Sequence, residues 1–139
     1  MKRKLLIATH STLAAGLYNA LQLLAGDHTH IATLCAYVDG MGEVETPVRT
    51  LMDSLGPDEE LVVLTDVFGG SVNNEFMKYL NTGRVHLVSG VNLPLAVEVA
   101  MCLDHEDFPT ALEAAIETAK GQIRYCNPLA GQRPTAETF

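Results

Sequence analysis

Two hydrophobic patterns alternate along the chain. Short unbroken apolar runs, such as Leu5–Thr9 and Leu61–Thr65, are bounded by polar residues. That pattern predicts strands buried on both faces, as in a parallel sheet. Ile31–Tyr37 and Val85–Ser89 read as two further strands. Between them, apolar residues recur at helical spacing. Ser11–Leu24 carries Leu13, Leu17, Leu21 and Leu24 on one expected face, with Gly26 as a stop. A second helix is expected from Thr46 or Pro47 to Leu55, with Thr46 as cap, Pro47 at its first position and Gly56 after its end. A third runs from Ser71, its expected N-cap, to Leu80. A fourth covers Pro94–Leu103. A fifth begins at the capping box Thr110-x-x-Glu113 and extends to Lys120. Gly121 interrupts it, and Gln122–Cys126 reads as a short C-terminal edge strand.

Strands alternating with helices predict an α/β protein: a doubly wound, mainly parallel four-stranded sheet flanked by helices. Residues 1–127 are expected to form one domain, and 128–139 a polar, frayed tail. Internal repeats and low-complexity segments are absent from the sequence.

Composition narrows the function classes. The 139 residues are 47% hydrophobic and 19% charged, which fits a single globular domain. Acidic residues number 17 against 9 basic ones, a net charge of −8. A nucleic-acid binder would show a basic patch, and the only cluster is Lys2-Arg3-Lys4. No apolar run approaches the ~20 residues of a membrane-spanning helix. The run after Lys2-Arg3-Lys4 is also too short for a signal peptide. Cys35, Cys102 and Cys126 are odd in number, with no C-x-x-C pair, which fits reduced thiols and an expected cytoplasmic location.

The candidate chemistry collects at strand ends. Thr9-His10-Ser11 follows the first strand, Asp66 to Ser71 the third, and Ser89-Gly90-Val91-Asn92 the fourth. All three turns are expected on one edge of the sheet, where α/β proteins bind ligands. Glycines at 69 and 70 let backbone N–H groups approach an anion. Neutral imidazole is a good nucleophile near neutral pH. A carboxylate such as Asp66 would fix its tautomer and stabilise the cation formed as a bond is made to the other nitrogen. Phosphoryl transfer needs little more than such positioning and charge stabilisation. Each residue also has a plainer reading. A lone histidine after a strand is more often a structural hydrogen-bonder, Asp66 a turn cap, and Gly69-Gly70 a tight turn; it is their shared edge that points to chemistry.

The other histidines point elsewhere. His28-x-His30 reads as a solvated turn with Asp27 the nearest acid, His86 as packed in its strand or edge-exposed, and His105 as a loop residue. The zinc-protease, Walker-type and dinucleotide fingerprints are missing, so neither a metal nor an organic cofactor is expected.

Together, Thr9-His10, Asp66-x-x-Gly69-Gly70-Ser71 with Asn74 downstream, and Ser89-Gly90-Val91-Asn92-Leu93-Pro94 resemble the enzyme IIA component of the mannose-type (mannose/fructose/sorbose) sugar phosphotransferase system. The resemblance spans about residues 3–126. It implies a cytoplasmic phosphocarrier that takes a phosphoryl group from HPr on one histidine and passes it to a IIB component, with membrane components IIC and IID carrying the sugar. His10 would be phosphorylated on Nε2 and Asp66 would orient Nδ1. Ser11, Gly69, Gly70 and Ser71 would be the phosphate-binding residues. Family members are homodimers in which a C-terminal strand crosses to the partner's sheet, a part that would fall to Gln122–Cys126 with Gly121 as hinge. This chain departs from the family pattern at Val67, where Thr is common, and at Val72, where Pro is common. The phosphocarrier subunit of dihydroxyacetone kinase is a related family, although the Phe68-Gly69-Gly70-Ser71 turn favours the sugar system. The pattern also fits a phosphorylation-sensing regulatory module or a small-molecule-binding α/β protein.

Overall fold

The computed structural model describes residues 2–27 and 30–131. Four parallel strands form one sheet in the order β2-β1-β3-β4, with β1 Lys2–His10, β2 Ile31–Ala36, β3 Glu59–Thr65 and β4 Val85–Val88. Helices α1 Leu13–Ala25, α4 Leu93–Cys102 and α5 Phe108–Gly121 cover one face. Helices α2 Glu45–Asp53 and α3 Ser71–Met77 cover the other. The expected doubly wound α/β fold is therefore the observed one.

The apolar runs of β1 and β3 fill both layers at once. Leu5, Ile7, Val62 and Leu64 pack with α1, α4 and α5, whereas Leu6, Ala8, Leu61 and Val63 pack with α2 and α3. Alternate side chains of a strand point to opposite faces, so a continuous apolar run is what a two-sided sheet requires. The chain leaves β1 towards β2 on one side and β3 towards β4 on the other. The winding therefore reverses between β1 and β3. That reversal opens a crevice at their carboxyl ends, and His10 and Asp66 stand there.

Several element edges differ from the sequence reading. Strand β1 begins at Lys2 and β3 at Glu59, because charges pair across the two strands: Arg3 lies 3.1 Å from Glu60 and Lys4 3.2 Å from Glu59. The buried positions of α1 are Ala14 and Leu21, while Leu13 is 47% exposed and Leu24 also faces out. The leucine spacing draws the stripe one position off, because the small Ala14 is what fits against the sheet. Helix α2 starts at Glu45 rather than at a Thr46 cap, and the Glu43 carboxylate accepts the Thr46 N–H at 3.1 Å. Gly70, not Ser71, is the N-cap of α3, which ends at Met77 before a 3₁₀ turn at Leu80–Thr82. Helix α5 starts at Phe108, and Asp107 accepts the Thr110 N–H in place of the expected capping box. Phe108 is fully buried, so the helix must begin early enough to deliver it to the core.

The expected edge strand at residues 122–126 is not part of this chain's sheet. Those residues are irregular and exposed, and a 3₁₀ turn follows at Asn127–Leu129. Residues 132–139 of the expected tail lie outside the described residues. Among the described residues, no helix is long and apolar enough to cross a membrane.

Candidate functional site

Strand pairing creates the site. Ala8 pairs with Thr65, so the two strands end side by side and Asp66 turns towards His10. The Asp66 carboxylate takes hold of that residue twice. Its Oδ2 accepts the His10 backbone N–H at 2.9 Å. The His10 ring Nδ1 lies 3.1 Å from Oδ2 and 3.2 Å from Oδ1. A carboxylate can only accept, so Nδ1 is the ring's donor to Asp66, and in the neutral ring the lone pair is on Nε2. The carboxyl side chain is 12% exposed and the imidazole 40% exposed, so the orienting group is sheltered while the ring is open to a partner.

The glycine turn wraps the ring. At Gly70 a Cβ would stand 3.3 Å from His10 Cε1 and 3.2 Å from both the Val67 Cβ and the Val67 carbonyl oxygen. Glycine is needed there for space, since its φ is −72°. At Gly69 the need is conformational, because φ is +78°. Asn74 pins the turn, its side-chain amide donating to the Gly69 carbonyl at 3.0 Å and its backbone N–H to the Gly70 carbonyl at 2.9 Å. The Gly70 N–H is already given to the Val67 carbonyl at 3.1 Å, so that amide is not held out for an anion as the sequence suggests. Ser71 Oγ stands 3.4 Å from His10 Nε2, the ring nitrogen turned away from Asp66.

Beneath the turn lies a buried support. Thr65 Oγ1 donates to Asn73 Oδ1 at 2.7 Å, joining the end of β3 to α3. The Thr65 carbonyl accepts the Val91 N–H at 2.9 Å, bringing in the turn after β4. Thr9, also buried, accepts the Ala14 N–H at 2.8 Å and so ties the start of α1 to the strand that carries His10.

The structure thus brings His10, Asp66, Gly69, Gly70 and Ser71 together. Ser11 lies in the same turn in a left-handed conformation (φ 55°), with its N–H committed to the Ala36 carbonyl at 2.8 Å. Two residues have parts in the site that the sequence pattern does not show. Thr9 belongs there to the turn that carries His10, but its hydroxyl's hold on the start of α1 is not legible. Tyr37 reads as part of the second strand, yet it follows β2, its ring centroid 5.7 Å from that of His10 and its hydroxyl 2.7 Å from Ser71 Oγ. Its position one step past Ala36, the register partner of His10, is the signal that could have found it. Val67 and Phe68, the latter 81% exposed, form an apolar rim.

Among the described residues, the remaining histidines do not join this centre. His86 packs edge-on against Phe108 with centroids 5.0 Å apart, its Nε2 3.4 Å from Glu60. His105 Nδ1 accepts the Asp107 N–H, and His28 lies outside the described residues. Among the described residues no group of three or more His, Cys, Asp or Glu side chains could hold a metal ion. A cleft of about 240 Å³ opens at the opposite edge of the sheet, lined by Leu5, Ile31, Leu51 and Leu61 among others; it is mainly apolar and remote from His10.

A family model described as "PTS system fructose IIA component" matches residues 4–116. A solved structure assigned as a phosphoenolpyruvate-dependent sugar phosphotransferase system permease from Klebsiella pneumoniae subsp. pneumoniae is 38% identical, with a TM-score of 0.88 over 93% of this chain and 94% of that one. The PTS IIA protein associated with the fucose utilization operon of Streptococcus pneumoniae is 28% identical, with a TM-score of 0.79 over 93% and 96% of the two chains. The mannose/sorbose-specific IIA subunit from Enterococcus faecalis is 22% identical, with a TM-score of 0.77 over 90% and 95%, a likeness of fold. No curated protein matches.

Proposed function

This chain belongs to the family of PTS system fructose IIA components, and on that premise we propose that it carries a phosphoryl group on His10 Nε2, from the phosphocarrier HPr to a IIB component. It is a IIA-type component of a sugar phosphotransferase system. The observation that carries the finer reading is the pairing of His10 Nδ1 with Asp66, which turns Nε2 to the open edge of the sheet beside Ser71 Oγ.

The step is a transfer between two imidazoles. The Nε2 lone pair of His10 forms the new N–P bond as the donor's N–P bond breaks, and the donor nitrogen leaves with that electron pair. The Nδ1 proton stays on the ring. The phosphorylated imidazole is then cationic, and the adjacent Asp66 carboxylate stabilises it. Ser71 donates its hydroxyl to a phosphoryl oxygen, with Gly69 and Ser11 lining the approach. Phosphoryl transfer depends mainly on such positioning and charge stabilisation. The reverse exchange delivers the group to IIB. The relay operates in the cytoplasm beside the membrane components that carry the sugar.

The same reading includes a homodimer. Strand β4 has an open edge, and residues 122–126 present Ile123 and Tyr125, 77% and 76% exposed. A crossing strand from a second copy would satisfy that edge and cover those side chains.

Intact-mass measurement after incubation with phosphoenolpyruvate, enzyme I and HPr tests the relay. One acid-labile phosphoryl addition is expected in the wild type and none in His10→Ala. Undiminished labelling of folded His10→Ala would overturn the assignment.

A further inference from the structure

We infer that Tyr37 is a positioning residue for phosphoryl transfer, acting through the Ser71 hydroxyl; this rests on the reading of His10 as the phosphoryl carrier. Tyr37 makes two contacts with the site. Its ring lies 5.7 Å from the His10 ring, centroid to centroid, at an interplanar angle of 30°. Its hydroxyl lies 2.7 Å from Ser71 Oγ, which itself stands 3.4 Å from His10 Nε2.

The backbone makes those contacts at a cost. Tyr37 has φ 64°, in the left-handed region that a bulky side chain seldom adopts. Strain of this kind persists only where surrounding structure enforces it, and it collects at functional sites. Here the left-handed turn comes directly after Ala36, which pairs with His10 and accepts the Ser11 N–H. An extended residue at that point would carry the side chain onward along β2. The turn sends the ring back over the sheet edge, beside His10 and above Ser71.

Proton counting gives the direction of the contact. With Nδ1 protonated, Nε2 is an acceptor, as are the oxygens of a phosphoryl group bound there. Ser71 has one hydroxyl proton, and the site uses it best by donating towards Nε2 or that group. Tyr37 then donates its own proton to Ser71 Oγ. A hydroxyl that accepts one hydrogen bond becomes a stronger donor in the next. Tyr37 therefore fixes the Ser71 rotamer and strengthens its donation, without touching the phosphoryl group.

A double-mutant cycle tests this, with phosphoryl uptake from phosphorylated HPr followed by rapid quench and intact mass. Tyr37→Phe keeps the ring and removes only the hydroxyl, so its melting curve should match the wild type. Losing one hydrogen bond in the transition state predicts uptake roughly five-fold slower for Tyr37→Phe. In a Ser71→Ala background the same change should have no further effect, because the group it acts through is gone. A wild-type rate for Tyr37→Phe, or additive losses in the double variant, would overturn the inference while leaving His10 as the carrier. If charged HPr leaves the wild-type protein unlabelled, the carrier reading fails, and this inference fails with it.

Discussion

Asp66 binds both the backbone and the ring of His10: one carboxylate oxygen accepts the His10 N–H at 2.9 Å and stands 3.1 Å from Nδ1. The first bond fixes where the residue sits at the end of β1, and the second fixes which ring nitrogen carries the proton. Orientation and tautomer are thus set by one side chain from the neighbouring strand.

Replacing that carboxylate should separate chemistry from fold. Asp66→Asn keeps an acceptor oxygen but can present an NH₂ group to Nδ1. The ring would then favour the tautomer with its proton on Nε2, where the lone pair is needed. Phosphoryl uptake should fall by about a hundredfold or more, since the corresponding change in a histidine–aspartate hydrolase pair costs about 10⁴. Quench-flow rates beside unchanged far-ultraviolet dichroism would show it; a wild-type rate would reduce Asp66 to a turn cap.

The two glycines of the turn should fail in different ways. Gly70→Ala keeps an ordinary φ of −72° but places a Cβ 3.3 Å from His10 Cε1 and 3.2 Å from the Val67 carbonyl oxygen, so it should push on the ring and the turn and slow transfer through crowding. Gly69→Ala meets nothing within 4 Å but must hold φ +78°, so it should cost about 1 kcal/mol of stability. Urea denaturation and histidine-ring NMR shifts, measured on both variants, distinguish the two effects.

Thr65→Val tests the support beneath the turn. It removes the hydroxyl that donates to Asn73 Oδ1 at 2.7 Å and leaves a buried amide oxygen without that partner. Such an orphaned group costs about 1–3 kcal/mol, readable as a lower urea midpoint. An unchanged midpoint would mean that Asn73 finds another donor.

Acid stability should depend on Glu59. The Gly56 N–H, first, and the Lys4 ammonium, second, hold its carboxyl below the ordinary value of 4.5. A group whose folded pKa is depressed stabilises the fold fully above its unfolded value, and that contribution disappears as pH falls through the folded value. Wild-type stability should therefore decline below about pH 4.5, and Glu59→Gln should flatten that part of the decline. Parallel acid-denaturation curves would exclude the contribution.

The sequence determined the architecture because the physics there is local and repetitive. Unbroken apolar runs at 5–9 and 61–65 can be buried only between two helical layers, and turns after each strand must share an edge once the strands are parallel. That reasoning is enough to put His10, Asp66, Gly69, Gly70 and Ser71 in one place. Element edges are harder to read. Charged residues 2–4 continue β1 only because Glu59 and Glu60 face them across the sheet, and Phe108 draws α5 forward because the core has room for it.

What the tertiary structure alone decided is everything set by the meeting of distant segments. Tyr37 joins the site through a left-handed turn that apolar periodicity does not encode, and its partner Ser71 lies 34 residues away. Gly70 is required by the approach of a ring from β1, 60 positions earlier in the chain, rather than by its own dihedral angle. Residues 122–126 carry a strand-like pattern, yet a strand needs a neighbour to pair with, and among the described residues of this single chain they have none. Local pattern fixes which elements can form; the contacts between them fix where each ends and which side chains meet.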